Sequence, residues 1–391
     1  MINAVENNRI SMQSREFFSS EEQMTIAFDH HIFTMQRYGG ISRYFARLAE
    51  GLPELGVTTN ILAPYHQNRY LREARHTSVF GKELKNHQSK ISRLLFLTNS
   101  FLANRQCKKL KPDIIHETYY TANPLVGRPK ARIVTVHDMI HERFKSLFRK
   151  NDYTSANKFL AVSRADHVIC VSQNTKSDLC EIFSVPEDKI TVVHLGFDPN
   201  MTKLMEQQPR VGRRPYLLFV GNRGGYKNFD TLLRAFASRR HIPAEFDLIA
   251  FGGGSFSKTE AALIRRLGLR SNCVRHVGGN DRRLQELYRS AYALVFPSLY
   301  EGFGLPPLEA LANGCPVISS NTSSMPEIIT DAAQYFSPSD TDSIADAIEA
   351  VTTDDRRRNE LIERGTKRLK AFSWEKCCAE TLDVYNCASR R

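Results

Sequence analysis

From Met24 onward, short β-branched or apolar runs alternate with stretches whose apolar residues recur at helical spacing. The runs MTIAFD (24–29), VTTNILA (57–63), DIIHE (113–117), RIVTVHD (132–138), HVICVS (167–172) and ITVVH (190–194) read as strands. Between them, ISRYFARLAEGL (41–52) and NTKSDLCEIF (174–183) read as helices. Strands spaced by helices predict a parallel sheet covered on both faces, one Rossmann-like unit over 24–195.

Periodicity is lost over GFDPNMTKLMEQQPRVGRR (196–214), which predicts a linker. A second series follows, with strands expected at 216–222, 246–252, 273–278, 292–298, 316–320 and 334–337, and helices at 229–239, 257–268 and 281–290. Three more helical stretches, 343–351, 356–372 and 373–385, close the chain. The expected organisation is a flexible segment at 1–23, a first Rossmann-like domain at 24–195 and a linker at 196–214. A second Rossmann-like domain follows at 215–372, and the stretch 373–391 returns toward the first. The fold class is α/β, with two such domains facing across a cleft at the carboxyl ends of their strands, where open sheets bind ligands.

Composition agrees with two domains in 391 residues, 41 % of them hydrophobic. Lysine and arginine number 54 against 42 acids, and the surplus of twelve positive charges points to an anionic partner: nucleic acid, a membrane surface or a phosphate-bearing substrate. Eight scattered cysteines without a CxxC pair read as reduced thiols, mostly in the core. The polar start and the lack of an 18-residue apolar run predict a cytoplasmic protein that does not span a membrane.

Several common chemistries lose their support: there is no GxGxxG with a following acid, no GxxxxGK[ST], no GxSxG and no HExxH. The strongest positive signal is EGFGLPPLE, Glu301 to Glu309, between a strand and a helix. Its glycines let backbone approach a ligand, its prolines suit a first helical turn, and the helix N-terminus favours an anion such as a diphosphate. Glu301 can then reach a sugar and Glu309, further into the helix, a ribose. GNRGGYKN (221–228) places Arg223 and Lys227 on a glycine-rich loop, where two cations neutralise phosphate charge without a metal; solvated surface charge is the bland alternative. YGGISRYF (38–45) offers Gly39 and Gly40 before a helix, an anion loop or a plain tight turn. His137 and Asp138 end a strand at the expected cleft. His137 with His141 has metal-ligand spacing but no evident third ligand, so no metal is expected.

Together these strings resemble the retaining GT-B glycosyltransferases of family four, from about Met24 to the end of the chain. The string EGFGLPPLEALANGCPVI is the most specific part. FDHHIFTMQRYGGISRY and IIHETYY look like bacterial mannosyl- or rhamnosyltransferases of O-antigen and surface polysaccharide synthesis. The resemblance implies a nucleoside diphosphate sugar as donor substrate and no separate cofactor. It assigns Glu309 to the ribose, Glu301 to the transferred sugar, and Phe303, Gly304 and Leu305 to backbone contacts with sugar and phosphates. Arg223 and Lys227 would bind the diphosphate, Gly39 and Gly40 would close over it, and His137 would sit by the sugar. One departure is Asn228 after Lys227, where many relatives have glycine.

The implied reaction is metal-independent transfer with retention, most simply of mannose from GDP-mannose onto a glycan or lipid-linked acceptor. UDP-glucose-like donors, GDP-rhamnose, and GT-B epimerases or phosphorylases are the nearest rivals. A nucleotide-sugar sensor is weakened by the full set of glutamates and cations, and a nucleic-acid-binding role by the lack of any recognition module, so no nucleic acid partner is expected. Residues 69–111 hold eleven cations and two acids, Glu73 and Glu83. Within them ISRLLFLTNSFLANR (91–105) reads either as an amphipathic helix touching anionic lipid, making the protein peripheral at the membrane's inner face, or as an ordinary packed helix.

Overall fold

The computed structural model describes residues 23–84, 93–197, 214–270 and 272–390. The segment expected to be flexible at 1–23 lies outside them apart from Gln23. So does the expected linker, apart from Gly196, Phe197 and Arg214.

The first sheet comprises β1 (Thr25–Phe28), β2 (Thr58–His66), β3 (Ser78–Glu83), β4 (Ile114–Glu117), β5 (Ala131–Val136), β6 (His167–Cys170) and β7 (Ile190–Val192). All pairings are parallel and the order is β3-β2-β1-β4-β5-β6-β7. The second sheet holds β8 (Tyr216–Val220), β9 (Asp247–Phe251), β10 (Val274–Val277), β11 (Ala293–Phe296), β12 (Val317–Ser320) and β13 (Ala333–Phe336), ordered β10-β9-β8-β11-β12-β13. Central strands such as TIAF and YLLFV are almost wholly apolar because helices cover both faces of each sheet. In both sheets the strand order reverses beside the first strand, opening a crevice at the carboxyl ends.

In the first domain, side chains from alternate strand positions meet different helices. Ile133 joins a core with Tyr44 and Phe45 of the Gly40–Gly51 helix, whereas its neighbour Val134 packs with Ala161 and Val162 of the Thr154–Arg164 helix. The Trp374–Ser389 helix crosses back and packs on the Gly40–Gly51 helix and β5. Its Tyr385 hydroxyl lies 2.6 Å from His116 Nδ1 in the fully buried interior of the first domain. Among the described residues no helix is long and apolar enough to cross a membrane. The described cysteines are all unpaired, six of them buried, with Cys180 half-buried and Cys387 exposed.

Candidate active site

The groove between the domains is built where the strands end. After β11 the chain runs through Tyr300–Phe303 to Gly304, whose φ of 103° is left-handed and turns it into the Leu305–Ala312 helix, with prolines in the first turn. A methyl group at Gly304 would also lie 2.3 Å from Met325 Cε. Opposite, the Gly40–Gly51 helix begins so close that a methyl group on Gly40 would meet Leu305 Cδ1 at 3.5 Å. The first turns of two helices therefore face each other across the groove, which adds their partial positive charges there. Gly39, just before, is extended, and Gln36 crowds the place a side chain would take. The groove is lined by Gly40, Arg43, Leu284, Leu305 and Glu309 among others.

Glu309 is held from both domains. Its Oε1 accepts from Arg43 Nη2 at 2.9 Å and its Oε2 from the Tyr288 hydroxyl at 3.2 Å. Burial, reinforced by the Glu309 charge, holds the Tyr288 hydroxyl far above the usual phenol range, so it stays a donor. Glu301 Oε1 receives Lys227 Nζ at 2.6 Å. Its backbone is pinned by Ser323 Oγ accepting from its N–H and Ser324 Oγ donating to its carbonyl, each at 2.9 Å. Ser172 of the first domain donates to the next carbonyl, Gly302 O, at 2.7 Å. The Phe303 ring packs between His194 and Phe372 and belongs to the core.

His137 follows β5 and presses against this loop: a methyl group on Gly302 would fall 1.8 Å from the His137 carbonyl oxygen. Its backbone N–H donates to the Tyr120 hydroxyl at 3.1 Å, and its ring meets Tyr44 edge-on at 5.4 Å. Among the described residues its buried Nε2 has no hydrogen-bond partner. Burial lowers the His137 pKa to about 4; Asp138 opposes this and the Lys158 charge adds to it. At neutral pH the ring is therefore an uncharged donor and acceptor. Lys158, fully buried, donates to the Asp138 carbonyl at 2.8 Å and to Glu142 Oε2 at 2.7 Å, fixing the turn that carries His137. His141 stacks on Phe148 at 3.9 Å and sits 3.6 Å from Asp152. Among the described residues no group of three or more His, Cys, Asp or Glu could hold a metal.

Arg223 is engaged within the second domain. Its guanidinium donates to Glu260 Oε1 at 2.7 Å and to the carbonyls of Gly252, Gly253 and Ser255 at 2.6, 3.3 and 3.0 Å, and it stacks on Phe256. These contacts use four of its five N–H donors, and the side chain is buried within the second domain. Asn228 adopts φ 59°, left-handed backbone that asparagine tolerates better than most residues. Its Nδ2 ties the loop to the carbonyls of Pro297 and Pro338.

The structure thus gathers Gly40, Leu305 and Glu309 on the groove, couples Lys227 to Glu301, and sets His137 against Gly302. Arg43 and Tyr288 are the partners that sequence reasoning passed over. Arg43 stands three residues after Gly40 in the glycine-led helix, but its match with Glu309 is a relation between domains that spacing does not encode.

Two facing parallel-sheet domains with paired helix starts at their junction define the GT-B fold. Residues 38–201 match the family model "Glycosyltransferase Family 4" and residues 200–368 match "Glycosyl transferases group 1". The O-antigen chain mannosyltransferase B of Escherichia coli is 29% identical over 281 residues, 67% of this chain and 71% of that one. The O-antigen chain mannosyltransferase RfbU of Salmonella typhimurium is 26% identical, covering 80% of this chain and 87% of its own. Anabaena HepE, solved with UDP and glucose, superposes with a TM-score of 0.70 at 16% identity, over 93% of this chain and 99% of its own. The chain belongs to the GT-B glycosyltransferases, with a family 4 first domain and a group 1 second domain, and it is a glycosyltransferase.

Proposed function

We propose that the protein transfers mannose from GDP-mannose, with retention of configuration and without a metal, onto a glycan or lipid-linked acceptor of surface polysaccharide synthesis. The observation that carries the reading is the Glu301–Lys227 pair beside the start of the Leu305–Ala312 helix, with Glu309 one turn inside. The mannosyl specificity is supported by the Escherichia coli and Salmonella typhimurium relatives, both O-antigen chain mannosyltransferases.

In this scheme Glu309 holds the ribose diol and Glu301 the sugar hydroxyls. Lys227 and the helix N-terminus stabilise charge on the departing diphosphate, in place of a divalent ion. The acceptor oxygen approaches C1 on the face from which the diphosphate leaves. The C1–O bond to phosphate breaks, the C1–O bond to the acceptor forms, and the acceptor's proton passes to the departing phosphate oxygen. Neutral His137 accepts or donates one hydrogen bond to the sugar, and the closed groove excludes water that would hydrolyse the donor.

A thermal-shift panel of nucleotide sugars, followed by product analysis, tests this. Selective stabilisation by GDP-mannose and an α-linked product support it. Preference for a uridine donor, release of an epimerised free sugar, or loss of activity in chelator with rescue by Mg²⁺ each overturn part of it. A lipid-linked acceptor fits the cationic balance of residues 69–111 and a protein peripheral to the inner face of the membrane, within the cytoplasm.

A further inference from the structure

Three stretches of the first domain contain no acidic residue: the Arg93–Leu110 helix, the loop 121–130 and the Thr154–Arg164 helix. In a chain with 42 acids this acid-free surface is a local property. The two helices lie on the same side of the sheet. Both belong to right-handed crossovers that step in the same direction, β3 to β4 and β5 to β6, whereas the Gly40–Gly51 crossover steps the other way. The cores agree: Ala103 and Cys107 of the longer helix pack on Ile115, and Ala161 and Val162 of the shorter one on Val134. Ile115 and Val134 share that side, since the register pairs Ile115 with Arg132 and Glu117 with Val134.

With their inner faces spent on the sheet, both helices present a second apolar face outward. Leu94, Leu97 and Phe101, at helical spacing, are 72%, 60% and 68% exposed; Phe159 and Leu160 are about half exposed. Between them Val126 is exposed as well. Hydrogen bonds join the whole into one plate. Asn104 Oδ1 accepts from Val126 N–H at 2.7 Å, Arg132 donates to the Leu125 carbonyl at 2.9 Å and to Glu117 at 3.0 Å, and Arg164 donates to Glu117 at 2.9 Å. Exposed Arg93, Arg105, Lys108, Lys109 and Arg128 stand around the apolar residues. Exposed Asp152 and Asp166 flank the shorter helix at its ends, and the next helix on this side, Gln173–Phe183, carries Asp178 and Glu181, which pair with Arg143; these acids bound the acid-free surface.

We propose that the outer surface of the Arg93–Leu110 and Thr154–Arg164 helices is a docking face for an anionic lipid bilayer. Its apolar residues enter the headgroup boundary while the surrounding cations meet lipid phosphates. This deepens the reading of a lipid-linked acceptor and narrows the cationic window. Arg69 and Arg72 of that window are paired with Glu83 instead, and the second helix lies outside it altogether.

The test is flotation of the full chain with vesicles of phosphatidylcholine alone or mixed with phosphatidylglycerol, without donor, so that it reads separately from sugar transfer. Binding is expected only to the anionic vesicles. The variant Leu94→Ser/Leu97→Ser/Phe101→Ser and, separately, Phe159→Ser/Leu160→Ser are each expected to lower the bound fraction at least about fivefold, with unchanged circular dichroism and unchanged turnover of a water-soluble acceptor. Absence of wild-type binding to anionic vesicles overturns the proposal, as does equal binding by both variants. A wild-type dimer that both variants dissociate, seen by light scattering, also overturns it and makes this face a self-association surface.

Discussion

Arg43 Nη2 stands 2.9 Å from Glu309 Oε1, a bond across 266 positions that ties the first domain to the carboxylate proposed to hold the donor ribose. With Tyr288 on the other oxygen, Glu309 keeps lone pairs for a diol while its orientation is fixed from two domains. Replacing Glu309 with alanine is expected to weaken donor binding about 10- to 100-fold, the range for hydrogen bonds to a charged group. Arg43→Ala should cost about 1 kcal/mol of stability, because both side chains are about one-fifth exposed. Calorimetry with the donor checks the first, and a double-mutant unfolding cycle showing no Arg43–Glu309 coupling would contradict the second.

Lys227 is the cation coupled to the proposed sugar-binding carboxylate, whereas Arg223 is bound into its own domain. Lys227→Ala should therefore lower donor affinity about tenfold or more through lost charge. Arg223→Ala should act mainly on melting temperature. Calorimetry and thermal melts on both variants separate these effects, and the reverse pattern would return Arg223 to the diphosphate.

His137 touches the Gly302 loop through its backbone, and its buried Nε2 has no hydrogen-bond partner among the described residues. His137→Ala should lower turnover about 10- to 100-fold while leaving donor affinity nearly unchanged, as expected for a contact that matters most in the transition state. An affinity loss matching the loss of turnover would assign the residue to ground-state binding instead.

Gly302→Ala places a methyl group 1.8 Å from the His137 carbonyl oxygen, a backbone atom that cannot swing aside. Opening of the domain junction is the expected result, with near-complete loss of transfer. Small-angle scattering should show a larger radius of gyration than wild type, and an active variant of unchanged dimensions would mean that this contact is not required.

His30, His116 and His137 have pKa values lowered to about 3, 3 and 4, in each case chiefly by burial. Each stays neutral in the folded chain and becomes protonated on unfolding as pH drops below about 6.5, so the unfolded state binds more protons and stability falls with pH. The stability present above pH 6.5 is progressively lost down to about pH 4 for His137 and about pH 3 for His30 and His116, by at most roughly 2 kcal/mol per histidine at pH 5. Urea titrations at pH 7 and 5 give this slope; a midpoint independent of pH would show that the three rings are not buried as neutral groups.

The architecture was legible because its central strands are short apolar runs punctuated by glycine-rich loops, and EGFGLPPLE stands at the junction where its pattern places it. What escaped did so for local reasons. SVFGKE (Ser78–Glu83) forms the edge strand β3, half-exposed and charged, so it lacks the apolar continuity of its neighbours. The Thr154–Arg164 helix buries Lys158 in the middle of its apolar face, which disguises the periodicity. Lys158 can be buried there because Glu142 and the Asp138 carbonyl receive it, and neither partner adjoins it in sequence. The anchoring of Arg223 was hidden for the complementary reason: the carbonyls that hold it come from the Gly252–Ser255 turn, which no motif marks.

The hydrogen bond between His116 and Tyr385 spans 269 residues, so the first domain has its interior completed by a helix synthesised far later. A ribosome that has just finished β7 exposes a seven-stranded sheet whose Tyr44 and Phe45 side lacks its cover. Co-translational folding of that domain must stay unfinished until Trp374–Ser389 emerges. Chain order and folding order are thus uncoupled: the domain made first is the one that waits, and a nonsense change well beyond the donor-binding residues would strip part of the cover from the opposite half of the enzyme.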